Sequence, residues 1–175
     1  MNFEPKFIDL DKAVHDRDSF SCGEHELDSF LKTQAAKHMK VGISKTLVLP
    51  AITLLPNDKY PICSFYTIAP SSIKRASLPT KLAKKLPHYP VPVFLLAQLA
   101  VHNECHGQGL EKITLIKALE YLWDINTRMN AFAIIVDCLN KDVELFYAKY
   151  GFEILCDHNG KNRMFIPMKT IARLF

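Results

Sequence analysis

Residues 93–122 constrain the fold more than any other stretch of this chain. Residues 93–101 are apolar apart from Gln98, as expected of a strand buried on both faces. Gly107-Gln108-Gly109 follows, and the chain has only six glycines in all. Leu110, Ile113, Ile116, Leu119 and Leu122 then recur at helical spacing, predicting an amphipathic helix. A strand, a glycine turn and a helix in that order leave unpaired N–H groups at the head of the helix. With the helix dipole behind them, such groups suit a phosphate or pyrophosphate, a term of roughly 0.3–1 kcal/mol. The glycine spacing alone fits a plain strand-to-helix turn equally well.

The flanking segments give an alternation of strands and helices. Residues 3–10 begin like a strand. Ser21-Cys22-Gly23-Glu24 has the form of a capping box, ahead of a helix carrying Leu27, Phe30, Leu31, Ala35 and Met39 on one face. Residues 45–55 and 60–68 are rich in β-branched and aromatic residues, and Asn57-Asp58 between them predicts a hairpin. Residues 70–92 hold five prolines and five basic residues, with a short helix expected over 80–86. A buried strand is expected over 131–138. Asn140 caps the next helix and Gly151 stops it as a left-handed residue, before two short strands near 152–155 and 163–168. The result is an α/β chain with a mixed sheet, read as one domain over residues 1–175.

The net charge of +4 is unevenly placed. Residues 59–103 contain Lys59, Lys74, Arg75, Lys81, Lys84 and Lys85 and not one Asp or Glu, leaving 16 basic and 18 acidic residues elsewhere. A polyanionic partner is therefore plausible on charge. The five cysteines form no Cys-x-x-Cys pair and read as reduced thiols of a cytoplasmic protein. The N-terminus lacks the apolar core of a signal peptide. No apolar run approaches the about 20 residues of a membrane span, so no membrane association is expected.

Two runs carry a resemblance. Leu99-Ala100-Val101-His102-Asn103-Glu104-Cys105-His106-Gly107-Gln108-Gly109-Leu110 resembles the acetyl-CoA loop of the GNAT acetyltransferases. Asn140-Lys141-Asp142-Val143-Glu144-Leu145-Phe146-Tyr147-Ala148-Lys149-Tyr150-Gly151-Phe152 resembles their last helix and its Tyr-x-x-x-Gly-Phe ending. With Phe20-Ser21-Cys22-Gly23, Leu27-Asp28-Ser29-Phe30-Leu31, Ser44-Lys45-Thr46 and Pro90-Val91-Pro92-Val93, nearly the whole chain is similar to the TacT-like GNAT toxins of bacterial toxin–antitoxin modules.

The resemblance implies the GNAT acyl-CoA N-acyltransferase fold, a mostly antiparallel central sheet with flanking helices and a splayed strand pair. It implies that the backbone of Leu99 and Val101 pairs with the pantetheine arm. The N–H groups of His106, Gly107, Gln108, Gly109 and Leu110 would hold the pyrophosphate, with Asn140 beside the cofactor. Tyr147 would be the acid that protonates the departing thiolate; a packed core tyrosine is the reading without the motif. The implied co-substrate is acetyl-CoA, with no metal. The implied partners are aminoacyl-tRNA, a ribbon-helix-helix antitoxin and a second copy of the chain in a homodimer. Glu104 and Glu111 depart from the family pattern and bring negative charge near the pyrophosphate.

The missing carboxylates bear on the acceptor amine. At pH 7 a lysine near pKa 10.4 costs about 4.6 kcal/mol to deprotonate, and an α-amino group near 7.8 only about 1. A site without a base thus favours an α-amino group, and the toxin resemblance implies that of aminoacyl-tRNA. Arg75, Lys81, Lys84 and Lys85 are the expected tRNA contacts, ahead of Lys37 and Lys40. Two alternatives stay open: an acetyltransferase of a protein or small-molecule amine, and a CoA- or RNA-binding module without catalysis. His102, Glu104, Cys105 and His106 could be drawn as metal ligands, but they fall on the cofactor loop with no second cluster elsewhere. No Gly-x-Ser-x-Gly elbow is present, and Trp123 reads as core.

Overall fold

A computed structural model describes residues 1–175. Its strands are β1 (Ile8–Asp9), β2 (His15–Asp16), β3 (Lys45–Pro50), β4 (Tyr60–Ile73), β5 (Val91–Val101), β6 (Ala133–Cys138), β7 (Glu153–His158) and β8 (Lys161–Pro167). The helices are α1 (His25–Thr33), α2 (Ala35–Val41), α3 (Thr80–Ala83), α4 (Leu110–Asn126), α5 (Lys141–Lys149) and α6 (Met168–Ile171). The strands form one eight-stranded sheet in the order β1-β3-β4-β5-β6-β8-β7, with β2 beside β4. The chain divides into two compact units, Met1–Ala69 with Ala97–Leu119, and Pro70–Leu96 with Glu120–Phe175.

In the first unit, β3 and β4 make the expected antiparallel hairpin, pairing Lys45 with Ile68 and Val48 with Phe65. Asp58 supplies the turn with φ 61°. Phe20, Leu31, Ala35, Val48, Ile62 and Phe65 pack into one core cluster. The helix expected over 27–39 is broken: α1 stops at Thr33, and Gln34 at φ −123° separates it from α2. The capping box does not form. Glu24 is the N-cap residue and makes no side-chain cap, the Asp28 carboxylate accepts from the Cys22 N–H instead, and the Ser21 carbonyl accepts from the Asn103 N–H at 2.8 Å. A partner distant in sequence has displaced the local motif. In α4, Leu110, Leu119 and Leu122 are buried as expected, whereas Ile113 and Ile116 are half-buried and Thr114, Leu115 and Ala118 are buried instead. Thr114 is tolerated inside because its hydroxyl bonds to Ser64 on β4 and to the Leu110 carbonyl.

In the second unit, Ile73, Leu78, Val91, Val93, Ala133, Ile135 and Phe165 form the core cluster. β6 and β8 pair antiparallel from Ala133↔Pro167 to Cys138↔Asn162, and β7 pairs with the far side of β8. β5 and β6 pair in parallel only at Phe94↔Ile134 and Leu95↔Ile135. No further pair joins them, although β5 runs on to Val101 and β6 to Cys138. Burial on both faces of β5 was the expectation, yet Leu95 and residues 97–99 are half-buried. No helix is long and apolar enough to cross a membrane.

Candidate functional site

In the first unit, β5 ends at Val101 and a turn of 3-10 helix, Asn103–Cys105, leads into the glycine loop. His102 anchors that turn. Its Nδ1 accepts from the Glu104 N–H at 3.0 Å, so its Nε2 carries the proton and donates to the Ser19 carbonyl at 3.1 Å. The ring meets Phe20 edge-on at 5.5 Å. His106 donates from Nε2 to the Val101 carbonyl at 2.8 Å. Both imidazoles are thus engaged with backbone groups. Cys105 is buried in the cluster that also holds Cys63, Val101 and Leu110, and burial, with Cys105 close by, pushes the Cys63 thiol up to about 12.

On this floor the loop rises into solvent. Gly107 has φ 77° and Gly109 φ 73°, values that L side chains rarely adopt, and no atom lies within 4 Å of where either Cβ would sit. The N–H groups of Gly107, Gln108, Gly109 and Leu110 donate to no group of the protein. Four unclaimed donors therefore stand at the head of α4, a helix of 17 residues. The arrangement fits a pyrophosphate: the donors are free, and the space a Cβ would take is open. Leu99 is half-buried on β5, while the Val101 carbonyl already accepts from His106 and keeps one lone pair. Glu104 and Gln108 are exposed and Glu111 half-buried, and neither carboxylate accepts a bond from these N–H groups.

In the second unit, α5 begins as the sequence predicts. Asn140 is extended at φ −160° and its Oδ1 accepts from the Val143 N–H at 3.0 Å. The helix ends before Gly151, whose φ of 95° turns Phe152 back onto Tyr147. The Tyr147 carbonyl accepts from the N–H groups of Tyr150 and Phe152, and its ring packs edge-on against Phe146 and Phe152 at 5.2 and 5.1 Å. Tyr147 is 6% exposed, and its hydroxyl makes no hydrogen bond within the protein. Burial, reinforced by the Cys138 thiol, pushes its pKa above the ordinary phenol value of 10, so it remains a proton donor throughout the neutral range. Cys138 is itself pushed up to about 11 by burial and by Glu144 and Asp137.

β4 and β5 carry no carboxylate, and β6 carries only Asp137. Both oxygens of Asp137 accept from Arg163 on β8, from Nε at 2.7 Å and Nη2 at 2.9 Å. This fork pairs residues opposite each other in the β6–β8 register. Sequence reasoning missed it, because the signal appears only once those two strands are known to be neighbours. Glu144 is held below the usual carboxylate range by the Asn162 amide and by Lys141.

The basic segment of the same unit separates into two kinds of residue. Arg75 is half-buried and donates from Nε to the carbonyls of Ala83 and Leu86 at 2.8 and 3.1 Å, tying down the end of α3. Lys74, Lys81, Lys84 and Lys85 are exposed and have no acidic partner. Of the expected tRNA contacts, three are thus free ammonium groups and the fourth also builds the turn that presents them.

No protein-family model matches the chain. It is 32% identical over 136 residues to the tRNA-acetylating toxin of Mycobacterium tuberculosis (strain ATCC 25618 / H37Rv), covering 78% of this chain and 77% of that protein. Over 174 residues it is 28% identical to the probable toxin TacT of Sinorhizobium fredii (strain NBRC 101917 / NGR234), covering 94% and 92%. Among solved structures, AtaT complexed with acetyl-methionyl-tRNAfMet superposes with a TM-score of 0.85 at 30% identity, over 97% of this chain and 98% of that one. AtaTR bound with AcCoA gives a TM-score of 0.82 at 30% identity, over 97% of each chain.

Proposed function

This chain belongs to the TacT-like, tRNA-acetylating toxins of the GNAT type, and from that premise we propose that it moves the acetyl group of acetyl-CoA to the α-amino group of aminoacyl-tRNA, stopping translation. The observation that carries this reading is the loop of four unclaimed N–H donors, two of them on glycines of positive φ. AtaT, similar over nearly its whole length, has been seen with an acetylated aminoacyl-tRNA.

Residues 1–175 act as one acetyltransferase domain. The N–H groups of Gly107, Gln108, Gly109 and Leu110 hold the pyrophosphate, and the backbone of Leu99 and Val101 aligns the pantetheine arm; the His106 N–H, also expected there, already donates to the Asn103 carbonyl at 3.3 Å. Asn140 sets the start of α5 and contributes to holding the cofactor, its Nδ2 donors being unclaimed within the protein. Acetyl-CoA supplies the acyl group as a thioester and leaves as the thiol. Tyr147 provides the proton that the departing sulfur takes up. A buried phenol above pKa 10 is a weaker acid than a thiol near 8.5, so full ionisation of Tyr147 is uphill. Its proton is therefore replaced in the same step by one leaving the attacking nitrogen, a route in keeping with β4 and β5 carrying no carboxylate and β6 only the paired Asp137. Lys81, Lys84 and Lys85 contact tRNA phosphates, with Arg75 fixing their turn. The protein works in the cytoplasm as a homodimer and is neutralised by a ribbon-helix-helix antitoxin.

The test is incubation with labelled acetyl-CoA, total charged tRNA and control amines. Label on aminoacyl-tRNA that is lost in Tyr147→Phe is the expected result. Label only on protein or small amines refutes the reading, as does acetyl-CoA binding without turnover.

A further inference from the structure

An open groove of about 330 Å³ lies in the second unit, lined by Lys74, Arg75, Ala76, His88, Tyr89 and Pro90. None of these is acidic, and none of residues 59–103 is. Its size is at the low end of pockets that take a small ligand, roughly 300–1,000 Å³.

Its polar groups have capacity left over. Tyr89 is 65% exposed, its ring packs on no other ring, and its hydroxyl has no partner. Lys74 is exposed and unpaired. Arg75 is held through Nε by two carbonyls, and its Nη1 lies 3.4 Å from His88 Nδ1. A guanidinium only donates, so His88 accepts at Nδ1 and carries its proton on Nε2 as a further donor. Nη2 of Arg75 has no acceptor. The groove thus combines one bare aromatic face, two cations and an imidazole, with one cation fixed in place by the fold.

That combination recognises an unpaired nucleotide. The base stacks on the ring, the phosphate is neutralised by the cations, and a paired base, already stacked on both faces, has no face to offer. We infer that this groove holds one unpaired nucleotide of the tRNA substrate, its base on Tyr89 and its phosphate on Lys74 and Arg75. The inference rests on the aminoacyl-tRNA reading and adds a site to the three lysines already assigned.

Tyr89→Ala is expected to raise KM for aminoacyl-tRNA by about 5- to 100-fold, the loss of one stacked base, with kcat and acetyl-CoA affinity unchanged. Tyr89→Phe keeps the ring and retains the wild-type KM. Lys74→Gln flattens the salt dependence of KM by about 0.7 in log–log slope. Independently, Tyr89→Trp, read against the Trp123 background, should be quenched by a single-stranded oligoribonucleotide and not by its duplex. An unchanged KM in Tyr89→Ala overturns the groove, as does quenching by duplex alone. Quenching by CoA with loss of acetyl-CoA affinity would assign the groove to the cofactor's adenine and overturn it equally. If the wild-type protein fails to acetylate aminoacyl-tRNA, the functional reading falls, and the Trp titration still decides whether an unpaired nucleotide binds here.

Discussion

Gly109→Ala separates the conformational need for glycine from its role in ligand approach. At φ 73° an alanine pays a left-handed penalty of about 1–2 kcal/mol. Nothing lies within 4 Å of the new Cβ, so no steric term adds to it. For a chain of this size that strain lowers Tm by about 2–8 °C. The effect on cofactor binding is separate. The methyl group enters the open space above four N–H donors, and losing even one charge-assisted bond to a phosphate, about 1.5–3 kcal/mol, weakens binding roughly 10- to 100-fold. Gly42→Ala is the internal control. Gly42 closes α2 at φ 82° with equally open surroundings, so it has the same strain but no ligand role. Thermal unfolding and calorimetric titration with acetyl-CoA are measured on both variants. Equal losses of Tm with weakened binding only in Gly109→Ala is the expected pattern. If Gly109→Ala binds acetyl-CoA like the wild type, the glycine merely shapes a turn, and the loop reading is wrong.

Three further outcomes follow from the same geometry. Tyr147→Phe removes a hydroxyl with no protein partner, so unfolding should shift by no more than about 0.5 kcal/mol while single-turnover acetylation slows about 10²- to 10⁴-fold. On pH, the acceptor amine must lose a proton and Tyr147 must keep one. kcat/KM should reach its plateau below about pH 7.8, because the amine of an aminoacyl ester is less basic than an ordinary α-amino group, and hold level to pH 9.5, because burial raises the Tyr147 pKa and moves its ionisation further from neutrality; a falling limb below 9.5, after correction for ester hydrolysis, would exclude a buried phenol as the acid. By the same sign, native Tyr147 holds its proton when the unfolded chain has lost it, so its contribution to stability is complete below pH 10 and declines above. Replacing Lys81, Lys84 and Lys85 together with Gln should weaken aminoacyl-tRNA use and flatten its salt slope by about 0.7–0.9 for each phosphate no longer neutralised, with acetyl-CoA affinity preserved; equal slopes would mean these lysines only solvate the surface.

Local chemistry determined much of this protein. Asn57-Asp58 placed the β3–β4 turn, Asn140 and Gly151 bounded α5, and Gly107 and Gly109 marked the junction that leads from β5 into α4. Each of these is a preference of a few adjacent residues for particular φ values or a nearby hydrogen bond, and that information is carried in the sequence itself. The motifs around them were enough to place the chain in its family.

The tertiary structure decided the rest. Ser21 and Glu24 had the letters of a capping box, but Asn103, bonded to Ser21 from a distant turn, outcompeted it. Asp137, the one carboxylate on β6, is engaged because the β6–β8 register put Arg163 across from it. Arg75, one cation among several in the sequence, became a structural clamp because the carbonyls at the end of α3 fell within its reach. In the first two cases the deciding hydrogen bond comes from a group far along the chain, and in the third from carbonyls 8 and 11 residues on. Which distant groups arrive is set by strand order and packing, so the pattern of bonds exists only once the sheet is assembled.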